Sequence, residues 1–370
     1  LRGFELERFG APESVGTVLE AELLPHVFEQ TAGQIVFVDG VFQSQLSIMP
    51  KQPGVTIEHV VGKGFSPRPL PQGELQAAPM LALNGALANQ GTTIRIAANT
   101  RVRNALELIW ITTPDSQHHG KQPVVDVELG NHAEATVIER FIGRSDHETL
   151  TNVRVDLRVG TGAHLQHIKL QDEGAAAWHF ATTVIAPAAH ASVKSTVVSL
   201  GSKTARNAVH VHFDEPGAEV WLDGLFVGQS DQSLDHYTVI EHRVPRCTSH
   251  ELYKGILSDK AIGSFLGRVL MNEGAVNSAT DQLCRALLLS EDAKANVKPQ
   301  LEIDNDDVTA SHGAAIGHLD QDALFYLQAR GVSAADARLL LIEGFTREVL
   351  SRLPFELEDA WITQVLDRIS

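Results

Sequence analysis

Four short segments of the chain open alike: a small residue or turn, an alanine, then an alternation of polar and apolar residues. The alanines are Ala133, Ala163, Ala191 and Ala218, spaced by 30, 28 and 27 residues. A near-constant period of this length is what a stack of repeated structural units leaves in a sequence. The segments themselves, "HAEATVIERF", "AHLQHIKL", "ASVKSTVV" and "AEVWLDGLFV", have the period and composition of strands, as do "QIVFVDGVF" and "TTIRIAAN" upstream. No helix-period pattern separates them between about residues 30 and 290, which disfavours a doubly wound βαβ sheet. Repeated strands without helices point to a β-helix in which each coil buries its apolar side against the next. A β-sandwich is the competing arrangement.

Beyond residue 318 the period changes. Asp320 is placed to cap a short helix carrying Leu324, Phe325 and Leu327, and Gly331 is suited to end it. Ser333 and Asp336 have capping-box spacing. A stripe of Leu341, Phe345, Val349 and Leu353 follows, then Pro354 as a stop. A last amphipathic stretch carries Trp361, Val365 and Ile369. These helices have more apolar face than they can bury alone, so they must pack on the β body or on a partner. The expected organisation is an N-terminal remnant over 1–30, a parallel β-helix over 31–317 and a small α-helical domain over 318–370.

Composition narrows the function. The chain has 370 residues and a formal net charge of −16, from 46 acidic and 30 basic side chains. Such a surface repels phosphate backbones, so no nucleic acid partner is expected. No apolar run reaches the roughly 20 residues that span a bilayer, so no membrane association is expected. Only Cys247 and Cys284 are present. They are too few for a disulfide framework, and a cytoplasmic location is the simplest expectation. Two thiols also fall short of a complete iron–sulfur cluster or a typical structural zinc site, so any such metal is shared or uses histidine. The chain opens on Leu1 rather than Met, so the native protein is expected to begin earlier.

Catalytic motifs are missing. There is no G-x-S-x-G elbow and no G-x-x-x-x-G-K-[ST] phosphate loop, and "VGKGFS" at 61–66 lacks that spacing. Ser249 and Ser311 neighbour histidines in sequence, but adjacency does not make a Ser–His pair. His210 and His212 alternate on a strand and share a face, as metal ligands do; with no third ligand evident, an exposed polar face is the plainer reading. His164 and His167 stand at odd separation and face opposite sides. His118 and His119 belong to a loop. The acidic run "EIDNDDV" suits a carbohydrate-active β-helix enzyme less well than a solvated turn. His312, in "TASHGAAIG", is open to three readings: metal ligand, catalytic base or ordinary turn residue.

The stretch "KPQLEI…DDV…SHGAAIG…FYLQARGV", with "HRVPRCTSHELYKGIL" and "QLCRALLLSEDA" upstream, resembles the SufBD family of iron–sulfur cluster assembly scaffold proteins, in its SufD branch. The resemblance reaches back to "QIVFVDGVF" and so covers most of the chain. It implies a right-handed parallel β-helix flanked by helical regions and a non-enzymatic role. It implies pairing with SufB through the β-helix, and docking of the ATPase SufC on the C-terminal helical region, here including Phe325, Tyr326, Arg330, Gly331 and Phe345. The histidine of the "SHG" motif, here His312, is implied to handle iron at the interface with SufB. No cofactor is then expected to bind the isolated chain stably; iron or a nascent cluster would be held transiently in the complex. The family often has cysteine two residues before this histidine, where this chain has Ala310. Its N-terminal Trp-Lys-Tyr-Thr-like motif is not found before Phe9. His318 reads as a surface histidine and Cys284 as a buried apolar residue. A homodimer when isolated, a purely structural β-helix dimer and a carbohydrate-active enzyme are the other readings.

Overall fold

A computed structural model of the chain describes residues 4–10, 15–18, 31–62, 65, 78–143, 145–353 and 355–369. Pro354, much of the 1–30 segment and half of "VGKGFS" lie outside the described residues.

The body is a β-solenoid of about eight turns. Strands alternate between two sheets, so each coil contributes one strand to each. In the regular part the first sheet stacks Glu134–Gly143, His164–Asp172, Ser192–Ser199, Glu219–Gly228, Thr248–Leu257, Ser278–Leu288 and Val308–Gly317, all parallel. The second stacks Val124–Leu129, Leu150–Val159, Trp178–Pro187, Thr204–Phe213, Ser233–His242, Ile262–Met271 and Lys294–Ile303, also parallel.

The four alanines form one buried rung line just before the first-sheet strands, and the register continues it through Cys247 and Ser278. Small side chains are required because this is the inner corner of each coil, where successive backbones lie one strand spacing apart. The residue before each rung has a left-handed backbone: His132, Gly162, His190, Gly217, Arg246 and Asn277 all have φ between 56° and 78°. At Gly162 a Cβ would lie 2.6 Å from Nδ1 of His132, and at Gly217 2.5 Å from Nδ1 of His190. Histidine and glycine therefore alternate up this corner, each ring lying over the glycine of the next coil.

Helix α1, Pro79–Leu87, lies against the second sheet, where buried Asn84 donates to the carbonyls of Pro123 and Asn152. Three helices follow the solenoid: α2, Gln321–Ala329; α3, Ala334–Leu350; and α4, Phe355–Ile369. Their caps form as the sequence indicates. Asp320 accepts from the N–H groups of Asp322 and Ala323, Ser333 accepts from that of Asp336, and Gly331 takes φ +90°. α3 and α4 lie on the outer face of the first sheet. Ile342, Val349, Leu350, Leu353, Trp361, Ile362 and Val365 share one cluster with Ile168, Leu225, Leu252 and Ile256 of the strands. Polar clamps fix them there: Lys254 Nζ donates to Phe345 O at 2.8 Å, Arg352 pairs with Asp223 and Arg368 with Asp172.

Candidate functional site

The last coil consists of Lys294–Ile303, a turn, and Val308–Gly317. The acidic run forms the turn. Asp307 N donates to Asn305 Oδ1 at 2.7 Å, and Asn277 of the preceding coil donates to Asp307 O at 2.7 Å. Coils inside the stack are covered on both sides, whereas this one is covered on one side only among the described residues. Ile303 and Ile316 are accordingly 45% and 49% exposed.

This geometry decides where His312 points. Parallel neighbours in register present their side chains to the same face, and Thr280, Gln282 and Cys284 pair with Ala310, His312 and Ala314. Thr280, Gln282 and Cys284 are all buried in the solenoid interior, and Ala310 packs against the interior core. His312 is therefore an interior-facing residue that is exposed because no coil lies beyond it.

Polar side chains continue behind it. Gln282 Nε2 donates to Glu251 Oε2. Burial pushes the Glu251 carboxyl up to about 7. The outer oxygens, Oε1 of Gln282 and Oε1 of Glu251, have no hydrogen-bond partner among the described residues. A second line backs Ala310: His242 Nε2 lies 2.9 Å from Ser249 Oγ, which donates to Thr280 Oγ1 at 2.8 Å.

Ser249 thus has a histidine partner, though not the adjacent His250 and not one that sequence adjacency could reveal. It is no nucleophile–base pair. Both residues are fully buried, His242 Nδ1 has no orienting partner, and burial holds the ring down to about 4.

His210 and His212 do share an outer face of the second sheet. Burial holds His210 down to about 4, its ring stands edge-on to Tyr237, and His212 Nδ1 lies 3.4 Å from Glu241. His164 is exposed and His167 buried, on opposite faces. His118 takes φ +58° in a turn, beside buried His119. His318 is exposed, with Nδ1 3.0 Å from Leu288 O. Among the described residues no three His, Cys, Asp or Glu side chains converge as a metal cage. Cys247 and Cys284 are separate and buried, and burial raises both thiols.

On the helical side, α2 buries none of its residues. Phe325 is 74% and Tyr326 55% exposed, and the Arg330 guanidinium lies over the Tyr326 ring at 4.7 Å. Phe345 differs: it is half-buried against the first sheet, with Lys254 Nζ 4.2 Å above its ring.

Residues 111–345 match the family described as "SUF system FeS cluster assembly, SufBD core domain". The chain is 31% identical over 345 residues to the iron–sulfur cluster assembly protein SufD of Escherichia coli, covering 91% of this chain and 78% of that protein. It is 31% identical over 280 residues to an iron–sulfur cluster assembly SufBD family protein of Synechocystis, covering 74% of this chain and 62% of the relative. A chloroplastic protein of Arabidopsis thaliana, ABCI7, is 32% identical over 333 residues, 88% of this chain and 68% of its own length. Among the described residues no helix is long and apolar enough to cross a membrane.

Proposed function

Because the chain belongs to the SufBD family of iron–sulfur cluster assembly proteins, we propose that it acts as a non-catalytic scaffold subunit. In this reading it joins SufB through the open end of its solenoid, docks SufC on its C-terminal helices and helps load iron at the joint. Iron and the nascent cluster are cargo, held transiently in the complex.

The observation that carries the reading is the uncovered last coil. Two strands of ten residues each present their edges, with interior-type residues laid bare between them. Such edges are templates for another chain's strands, and natural proteins seldom leave them long and unprotected. A homologous solenoid is a natural complement, since its own coil end has the same strand spacing and cross-section. His312 stands on that end, so a partner would bury it and complete its ligand set; imidazole suits iron. For SufC, the exposed Phe325 and Tyr326 of α2 supply the aromatic anchors that interfaces favour.

The test is co-expression with SufB and SufC, affinity capture, and iron measured per complex. Ile303→Lys with Ile316→Lys should abolish SufB capture and spare SufC; undiminished SufB capture would move the joint elsewhere. Phe325→Asp with Tyr326→Asp should do the reverse. Truncation after Gly317 is the poorer probe, because removing α3 and α4 would bare Ile168, Leu225 and Ile256.

A further inference from the structure

We infer that Gln282, held by Glu251, is the positioning residue that fixes the imidazole of His312; this rests on the reading of His312 as the iron-handling group. Gln282 is 2% exposed and lies in register with His312 on the adjacent coil. Its Nε2 is committed to Glu251 Oε2, while Oε1 has no partner among the described residues. Leaving a buried carbonyl unpaired is costly, so a donor is called for.

The surroundings leave two side-chain candidates: the Thr238 hydroxyl, in register with Gly267 and itself unpaired among the described residues, and His312, which stands in register on the adjacent coil of the same sheet. The interior-facing neighbours of His312 on its strand are Ala310 and Ala314, which carry no polar side-chain atom. Across the interior stand Gly267 and Pro299, in register with each other and equally without a side-chain donor. Gly267 is needed for the arrangement: a Cβ there would lie 2.2 Å from Gln282 Nε2. Adjacent strands are about 4.8 Å apart, within reach of a glutamine amide and an imidazole N–H.

Because Glu251 accepts from Nε2, the amide is oriented with its carbonyl end available. Nδ1 is the ring nitrogen nearer the main chain. The amide and the ring are not hydrogen-bonded in the structure; in this proposal the exposed ring turns so that the Nδ1 N–H donates to Gln282 Oε1, which leaves the lone pair of Nε2 for a metal. A hydrogen bond at one ring nitrogen sets which nitrogen can ligate.

The experiment has two parts. Nitrogen-15 spectra of the histidine rings, recorded on the full chain at a pH where imidazole is neutral, report the tautomer directly. The His312 signals are those lost in His312→Ala. In the parent chain His312 should be mainly protonated at Nδ1, and Gln282→Met should return it to the Nε2-protonated majority found in free histidine. Gln282→Glu, which keeps an acceptor, should preserve the Nδ1 form. Gln171→Met, at another buried interior glutamine, should change nothing at His312. Iron per captured complex is then measured at equal yield, where Gln282→Met should lose about tenfold, as outer-shell partners of metal-binding histidines do, and Gln282→Glu should recover most of it. An unchanged His312 tautomer in a folded Gln282→Met chain overturns the positioning role, while iron loss in His312→Ala would still support the functional reading. A changed tautomer with normal iron in His312→Ala overturns the reading and the role of Gln282 with it.

Discussion

The two ends of the solenoid carry the same kind of sequence and are finished in opposite ways. At the start, Gly33–Val38 is buried along its whole length. Its outer edge is taken by the two-residue antiparallel strand Val41–Phe42, and the second sheet ends on Val55–Val61, also antiparallel. Reversing direction at an edge stops the parallel stack, and a two-residue edge offers little to pair with. At the finish, Val308–Gly317 continues the parallel register to its last residue and is mostly exposed. In the first sheet one end is closed by its own chain. The other is left as an unfinished coil, and an interior-type residue at that end is exposed while its counterparts further in are buried.

The sharpest way to break that contrast is to remove matched apolar groups. Phe141 stacks on Trp110 with ring centroids 4.6 Å apart and meets His179 edge-on at 4.8 Å. Phe141→Ala should cost about 3–5 kcal/mol, read as a lower urea midpoint. Ile316→Ala, at the open end, should cost about 0.5 kcal/mol or less in the same assay. Equal losses would mean that the last coil is buried in the isolated protein, as in a homodimer.

Acid titration should separate the body from the open end next. Burial lowers His59, His179, His210, His212, His236 and His242 below their ordinary value, His236 to about 3 and His210 and His242 to about 4. Below pH 6.5 the unfolded chain protonates these residues while the native one does not, so stability falls as pH falls. Burial raises Asp172, Asp223, Asp235 and Glu251, which take up protons earlier in the native state and oppose the trend. Six against four leaves a net uptake on unfolding, worth about 1.4 kcal/mol per pH unit for each proton. Urea midpoints should therefore drop between pH 6.5 and 5, and His236→Phe should make the drop shallower. None of these groups is in the last coil, so His312→Ala should leave the slope unchanged.

The alanine line offers a finer test. Ala163 is fully buried between Ala133 and Ala191. Ala163→Leu should overpack the corner by about 1–3 kcal/mol. The line ends at Val308 on the terminal coil, and Ala310→Leu, two residues along that coil on the same face, should stay within about 0.5 kcal/mol.

That line was also the most legible part of the sequence, because a period near 30 follows from stacking geometry and survives drift in individual residues. Cys247 and Ser278 break the alanine spelling but not the spacing, so the repeat reads shorter than it is. The helix caps were legible for a similar reason: Asp320 and Ser333 act on residues two or three positions away. The contacts that make the site were not. Ser249 meets His242 rather than adjacent His250, because partners in a solenoid come from neighbouring coils and from across the interior. The line behind His312 is in principle readable, since Gln282 stands 30 residues before it and Glu251 a further 31, but only once the register is known. The stripe of α3 showed that Phe345 needed cover, and nothing in its spacing showed that Lys254 and the first sheet would provide it.

The smallest expected effect on stability is at His312, the proposed iron-handling residue, and a second histidine makes the comparison internal. His167 and His312 occupy the same ladder, linked rung by rung through Ser195, Leu222, Glu251 and Gln282. His167 is 1% exposed, with Nδ1 2.9 Å from Ser195 Oγ and Nε2 3.6 Å from Glu139. His167→Ala removes an imidazole that stands beside a buried carboxylate and leaves a void, so it should cost about 2–4 kcal/mol and reduce the yield of any complex in proportion. His312→Ala removes a side chain already in solvent and should cost no more than about 0.5 kcal/mol. Its consequence should instead be low iron in a complex recovered at normal yield. His318→Ala, exposed six residues on, should match the parent in both measurements. Cysteine placed at position 310 of the His312→Ala chain would put a thiol two residues away on the same face and should recover part of the iron. Normal iron at normal yield in His312→Ala would make this residue only the last rung of the ladder that also holds His167.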